Sequence, residues 1–497
     1  MRSLAELVST GYKKRQTIEV CNDRMTDGER VHSVALPVPV GRQSEVVYLK
    51  GSGHNVVLGT AGSGKTSMAI LRAAQLSHPL RGTAAGRTLL ITFNKTLRTY
   101  IDFLAEDILD RVTVEHFHLF ARGYLRSQRR LPNGCIVPSG KYSVLVERAR
   151  VEIRTAKPTE AILARPGRFF AEEFRWMGHH GIRTYAAYEA SDRTGRAEAR
   201  MLRAQRTVVW EVYEAYLRLR KEAGYLYDLD DIACSVEEAF DADQGARLYK
   251  HIVIDEGQDL KPNMLRALAK AIPPDGSLTF FGDVAQQIYG HRLSWRTAGL
   301  LPPKVWLFEE NYRNSKTIAE LALAISNMAY YGAPADLVAP KQPSAEGPKP
   351  TLVRFSDEEA ETAFIVERAL ASRGRSVAIL TRTTEQARQI ARRLGVPFQF
   401  LEGDLVSWSG GPGISVGNLH NGKGLEFDVV LLPYMSDARI PNPVAIDAEG
   451  PEDAAAGDGR LLYVGVTRAR RELLITHTGD VTSLLPPVPA LYTSLVR

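Results

Sequence analysis

Cysteine is scarce in this chain: Cys21, Cys135 and Cys234 are the only three in 497 residues, and they stand far apart. That spacing suggests neither a disulfide framework nor a cysteine-based metal site, so a reducing compartment, the cytoplasm, is expected. Long apolar runs are missing as well. None approaches the ~20 residues needed to cross a bilayer, and the opening MRSLAELVSTGYKKR lacks the apolar centre of a signal peptide, so no membrane partner is expected. No internal repeat recurs. With 44% hydrophobic and 24% charged residues the composition is that of an ordinary soluble globular protein, and the length exceeds one core, so two or three domains are expected.

Net charge is only +6, but it is unevenly spread. From Arg122 to Arg220 there are 20 Lys or Arg against 10 Asp or Glu, so this stretch carries +10 and the remainder about −4. A basic segment of this kind suits a polyanionic partner, and a solvated helical surface accounts for it equally well. The same stretch has helical periodicity with interleaved aromatics, as in FFAEEFRWMGHHG and VVWEVYEAYLRLR. On either side, short apolar runs alternate with helical ones: RTLLITF, RVTVEHF, KHIVIDEGQDL and SLTFFGDVAQQIYG, then SVAILTRT, GISVGNLH, DVVLLPY and RELLITHTG. That alternation predicts parallel α/β sheets interrupted by a helical insertion.

Two stretches carry chemistry. In VVLGTAGSGKTS, an apolar run leads into Gly59-Thr60-Ala61-Gly62-Ser63-Gly64-Lys65-Thr66-Ser67 and a helical pattern follows. Glycines at this spacing let backbone N–H groups close around phosphate oxygens, while Lys65 reaches the β and γ phosphates of a nucleoside triphosphate and Thr66 ligates magnesium. A magnesium ion on a phosphate also needs an acidic group from a nearby strand. HIVIDEGQD offers Asp255 to hold the ion through its water shell and Glu256 to orient and deprotonate the attacking water. A helix N-cap is the plainer use of Asp-Glu after a strand; its pairing with the glycine-rich loop favours the catalytic one.

VIDEGQD resembles the acidic motif of UvrD/Rep-like superfamily 1 helicases, and further stretches resemble that family's motifs in order: TFNK, FGDVAQQIYG, LFEENYRN, LHNGKGLEFD and RLLYVGVTRAR. The resemblance runs from about residue 40 to 478. It implies two RecA-like P-loop NTPase domains with parallel sheets, the first holding a helical insertion. On that division residues 1–40 form an N-terminal extension, 41–120 and 225–302 the first domain, 121–224 the basic accessory insertion, and 303–497 the second domain. The implied activity is ATP-dependent translocation on single-stranded DNA and 3′ to 5′ unwinding at duplex junctions. The resemblance further implies roles for single residues: Gln43 reads adenine, Tyr312 stacks on it, Glu426 lies near the ribose, Gln286 senses the γ phosphate, and Arg313 and Arg468 are arginine fingers. Phe93, Asn94, His116, Tyr289, His291 and His420 match positions that face nucleic acid.

The chain also departs from the family pattern. Ser67 stands where relatives usually carry an arginine against adenine, His291 replaces a tryptophan, and Asn418 a threonine. The large helical domain that interrupts relatives before the fifth motif is expected to be absent, since GVPFQFLEGDLVSWSGGPGISVGNLH joins the flanks through a short glycine-rich loop. After the last motif only about 27 residues remain, too few for a nuclease or a Tudor-like tail. The alternative to an intrinsic helicase is a nucleic-acid-stimulated ATPase serving a partner such as a nuclease, in repair or anti-phage defence. Within the insertion, Arg193, Arg196, Arg200 and Arg203 are expected to grip duplex DNA.

Overall fold

The computed structural model describes residues 36, 38–80, 85–92, 95–105, 108–193, 201–283, 295–296, 298–309, 311, 314–331, 345–402, 405, 408 and 411–497. Two sheets organise them. The first contains β1 (Gly53–Gly59), β2 (Thr88–Thr92), β3 (Val112–His116), β4 (His251–Ile254), β5 (Ser277–Gly282) and β6 (Val305–Phe308), in the order β3-β2-β4-β5-β1-β6. All of its pairings are parallel. Strands β2, β4 and β5 are buried along their whole length, which is why TLLIT and HIVI read as continuous apolar runs without alternation. Successive residues feed opposite cores: Val56, Leu89, Ile91, Ile252 and Ile254 pack with Phe117 and Leu265 on one face, while Val57, Leu90 and Val253 pack with Met68 and Ile70 on the other.

The expected boundary at residue 303 falls too early. β6 runs beside β1 in parallel register, Val56 opposite Val305 through Gly59 opposite Phe308, so the first sheet closes only after Phe308. The insertion also starts later than residue 121. Phe120, Ala121 and Leu125, on the helix Phe117–Ser127, pack into the core of the first sheet. The separate core of the insertion is built from residues such as Val146, Phe170, Phe174, Val212 and Tyr216, on the helices Ser139–Ala156, Gly167–His180 and Arg206–Glu222.

The second sheet contains β7 (Thr351–Phe355), β8 (Ser376–Thr381), β9 (Gln399–Leu401), β10 (Gly413–Asn418), β11 (Phe427–Leu432), β12 (Ala469–Thr478) and β13 (Thr493–Val496), in the order β13-β7-β12-β11-β8-β10-β9. It too is parallel throughout. Between β9 and β10, Glu402, Leu405 and Trp408 contact the helix Lys95–Ala105 of the first domain. Thr96 and Thr99 hydroxyls donate to the Glu402 and Leu405 carbonyls at 3.4 and 3.1 Å, and the Tyr100 and Trp408 rings meet edge to face at 5.1 Å. No helix among the described residues is long and apolar enough to cross a membrane.

Candidate nucleotide site between the two sheets

β1 ends in the glycine-rich loop, and the loop ends in the helix Lys65–Ser77. Gly62 and Gly64 take φ of 80° and 82°, the left-handed region that glycine enters without a Cβ clash. Gly59 is required by space: a Cβ there would lie 2.4 Å from Ser63 Oγ and 3.2 Å from Phe308 Cβ. The loop thus delivers Gly64 to the N-cap, where unpaired backbone N–H groups and the helix dipole favour an anion. Thr60, Ala61 and Ser63 are buried, and Ser67 sits half-buried in the first helical turn. Lys65 folds over the loop, its Nζ donating to Gly59 O at 2.9 Å and Thr60 O at 2.6 Å and pairing with Asp283 Oδ2 at 3.6 Å. Gln43 reaches the same loop from outside: Nε2 donates to Ser63 O at 3.0 Å, and Oε1 accepts from Val40 N at 3.1 Å.

Asp255 and Glu256 leave the end of β4, with β5 standing between it and β1. The Thr66 hydroxyl is hydrogen-bonded to the Asp255 carboxylate. Burial, then the charge of Glu256, pushes the Asp255 carboxyl up to about 7. Its Oδ2 is buried without a hydrogen-bond partner, an orphaned oxygen beside a hydroxyl and the phosphate loop. That oxygen-only donor set fits a small hard cation that shares its shell with phosphate.

Glu256 has φ of 53°, an uncommon conformation for a residue with a Cβ and one that costs on the order of 1 kcal/mol or more. Burial pushes its carboxyl up, but the positive charges of Lys423, Arg468 and Lys65 and the Gln258 amide outweigh burial and hold it below the usual glutamate value. The two adjacent carboxyls are thus pushed in opposite directions, Asp255 up and Glu256 down. Gln258 Nε2 donates to Glu256 at 2.5 Å while Gln258 Oε1 accepts from Asp283 N at 2.9 Å, closing a ring back to Lys65.

The second domain closes over this group. Arg468 is buried, its guanidinium donating to Val464 O at 3.1 Å, Leu425 O at 3.2 Å and Thr467 Oγ1 at 3.2 Å, and its charge acts on Glu256. Lys423 crosses the domain boundary to Asp259, Nζ to Oδ2 at 2.5 Å, with both side chains fully enclosed. Asn314 Nδ2 donates to Thr467 O at 3.1 Å and Ala469 O at 2.5 Å, which ties Asn314 to the backbone on either side of Arg468. Glu426, expected near a ribose, accepts from Arg470 Nε and Nη2 at 3.1 and 2.8 Å.

Of the residues expected to face nucleic acid, two are described. His116 Nδ1 accepts from Leu119 N at 3.3 Å and caps the helix Phe117–Ser127. Burial, then the charges of His118, Lys95, Arg98 and Arg122, pushes it down to about 4. His420 is pushed down to about 4 by burial, then by Arg382 and Lys423. Both rings are neutral at pH 7. Phe93, Asn94, Gln286, Tyr289, His291, Tyr312 and Arg313 lie outside the described residues, as do Arg196 and Arg200. Arg193 does not meet its expectation. It is buried, with Nε and Nη2 donating to the enclosed Glu173 at 2.7 and 2.6 Å, so it holds the insertion together and presents no charge to a duplex. The residues that sequence reasoning missed are Gln258, Asp259, Asp283, Lys423 and Arg470.

A phosphate-binding loop on one parallel sheet, an acidic pair one strand removed and a basic face from a second parallel sheet define a two-domain P-loop protein. The chain belongs to the UvrD/REP helicase family: the family's N-terminal domain model matches residues 41–298, and the UvrD-like helicase C-terminal domain model matches residues 306–405 and 402–479. It is similar to the probable DNA helicase II homolog of Rickettsia conorii, 39% identical over 77 residues that make up 16% of this chain and 12% of that one. It is also similar to ATP-dependent DNA helicase UvrD2 of Mycobacterium tuberculosis, 25% identical over 557 residues, covering 87% of this chain and 78% of that one. A third relative is the mitochondrial ATP-dependent DNA helicase HMI1 of Saccharomyces cerevisiae, 31% identical over 179 residues, 31% of this chain and 25% of that one. The chain thus spans only about an eighth of the length of the Rickettsia relative.

Proposed function

We propose that the chain is an ATP-dependent DNA helicase that translocates along single-stranded DNA and opens duplexes with 3′ to 5′ polarity. One observation carries this reading. Lys423 of the second domain pairs with the enclosed Asp259 of the first at 2.5 Å, and the charges of Lys423 and Arg468 draw the Glu256 carboxyl down, which supports a phosphate-loop chemistry that depends on how the two domains meet.

ATP would lie with its phosphates on the N–H groups of Gly62 to Thr66, and Lys65 would leave its carbonyl partners for the β and γ oxygens. Thr66 and Asp255 would hold a magnesium ion, which when bound neutralises charge on those phosphates. Glu256 accepts a proton from the attacking water, and Gln258 fixes the carboxylate that takes it. Arg468 stabilises the charge that builds on the transferred phosphoryl group, a role in which a single arginine contributes on the order of 10³–10⁵ in rate. Release of phosphate removes the charge that drew the domains together, and the domains reopen. Alternating closure would move a bound single strand through contacts such as His420.

The test compares duplexes carrying a 3′ or a 5′ single-stranded tail, incubated with purified protein, ATP and magnesium. Unwinding of the 3′-tailed duplex alone supports the proposal. Equal unwinding of both, or of the 5′-tailed one alone, contradicts the polarity.

A further inference from the structure

On the resemblance Gln43 and Tyr312 take the edge and one face of the base, and its other face is left without a residue. Ser67, in the first turn after the loop, offers a hydroxyl and no planar face. Arg42 opens the helix Arg42–Val47 directly before Gln43. Its guanidinium stands over two rings of β6, 5.8 Å from the centre of Trp306 and 5.7 Å from that of Phe308. Lys304 Nζ covers the Trp306 ring at 3.9 Å. Phe308 is buried, Trp306 half-buried and Arg42 exposed, so the rings back the guanidinium while its outer side meets solvent.

This platform is fixed to the phosphate loop at two points. Phe308 O accepts from Thr60 N at 3.0 Å, and Gln43 Nε2 donates to Ser63 O at 3.0 Å. Lys65 and Thr66 take the phosphate side of the loop, so the base of a nucleotide bound there extends toward a flank. The flank of residues 42 and 43 supplies both an amide that can bond a base edge and a planar cation that can cover a base face. A guanidinium is weakly hydrated and stacks on π systems, whereas an ammonium acts as a point charge.

We propose that Arg42 is a specificity-determining residue whose exposed guanidinium face stacks on the base of the bound nucleotide. This rests on the reading of Gly59 to Thr66 as a nucleotide site. The experiment separates the two by measuring equilibrium binding of ADP and of inorganic tripolyphosphate, which has no base, to the wild-type chain and to Arg42→Ala and Arg42→Lys. Arg42→Ala is expected to weaken ADP about three- to thirtyfold, the range of a cation–π contact, and to leave tripolyphosphate unchanged. Arg42→Lys, which keeps the charge without the planar fork, is expected to recover only part of the ADP affinity. Unchanged ADP binding in Arg42→Ala, or equal weakening of both ligands, overturns the role of Arg42. A wild-type chain that binds neither ligand overturns the nucleotide reading itself.

Discussion

Lys423 stands in Asn421-Gly422-Lys423-Gly424, a pattern whose local meaning is a turn. Nothing in that pattern says that its ammonium meets Asp259 in the other domain, because the pairing exists only once two separately folded sheets are packed. Gly59 to Thr66 and Asp255-Glu256 are different: each is a contiguous run set by one strand end, so their strand, loop and helix context could be read directly from spacing. Breaking the Lys423–Asp259 pair strands a buried carboxylate and removes the cation whose charge acts most on Glu256. Lys423→Met is accordingly expected to lower stability by about 3–5 kcal/mol in chemical denaturation, and Lys423→Met with Asp259→Asn to regain most of that loss. A second expectation follows from His420, whose ring is held neutral down to about 4. Between pH 4 and about 6.5 the unfolded chain binds the proton that the folded one refuses, so stability through this residue rises with pH across that window and is lost on acidification. His420→Asn should flatten the pH dependence there relative to wild type, as read from melting temperatures at pH 5 and pH 7.5.

At the scale of elements, the strands were legible because a strand covered on both faces needs an unbroken apolar run, as in TLLIT and HIVI. Allegiance was not. VWLF could belong to either sheet until its register against β1 is known, and the helix Phe117–Ser127 carries the basic pattern of the insertion while Phe120 and Leu125 face the first sheet. Arg193 departs from its expectation for a related reason: a run of arginines shows charge, but the glutamate that neutralises Arg193 sits on the helix Gly167–His180. Arg193→Ala leaves the enclosed Glu173 carboxylate without the guanidinium that pairs with it, and should destabilise the insertion by about 3–5 kcal/mol. Hydrogen exchange would show the loss in the helices Gly167–His180 and Arg206–Glu222. The contact of Trp408 with Tyr100 is smaller. Trp408→Ala should cost about 0.5–1.5 kcal/mol for the ring pair beyond the area lost, seen as a modest fall in melting temperature.

For the whole molecule, the two parallel-sheet domains are joined by Lys423–Asp259, by the charge of Arg468 on Glu256 and by Trp408 on Tyr100, and on the proposed function closure and catalysis are coupled. The repeated alternation of apolar runs and helical stretches made the two sheets readable from sequence, whereas how they face each other depended on side chains far apart in the chain. The account stands on the claim that ATP turnover in this cleft is driven by a bound single strand. The measurement that meets that claim head on is the steady-state rate of ATP hydrolysis with and without single-stranded DNA, for wild type and Lys65→Ala. The account predicts strong stimulation by DNA in the wild type and a loss of about a hundredfold or more in the variant, since the lysine is the loop's own cation on the transferred phosphate. Hydrolysis that ignores DNA, or that survives in Lys65→Ala, would contradict it.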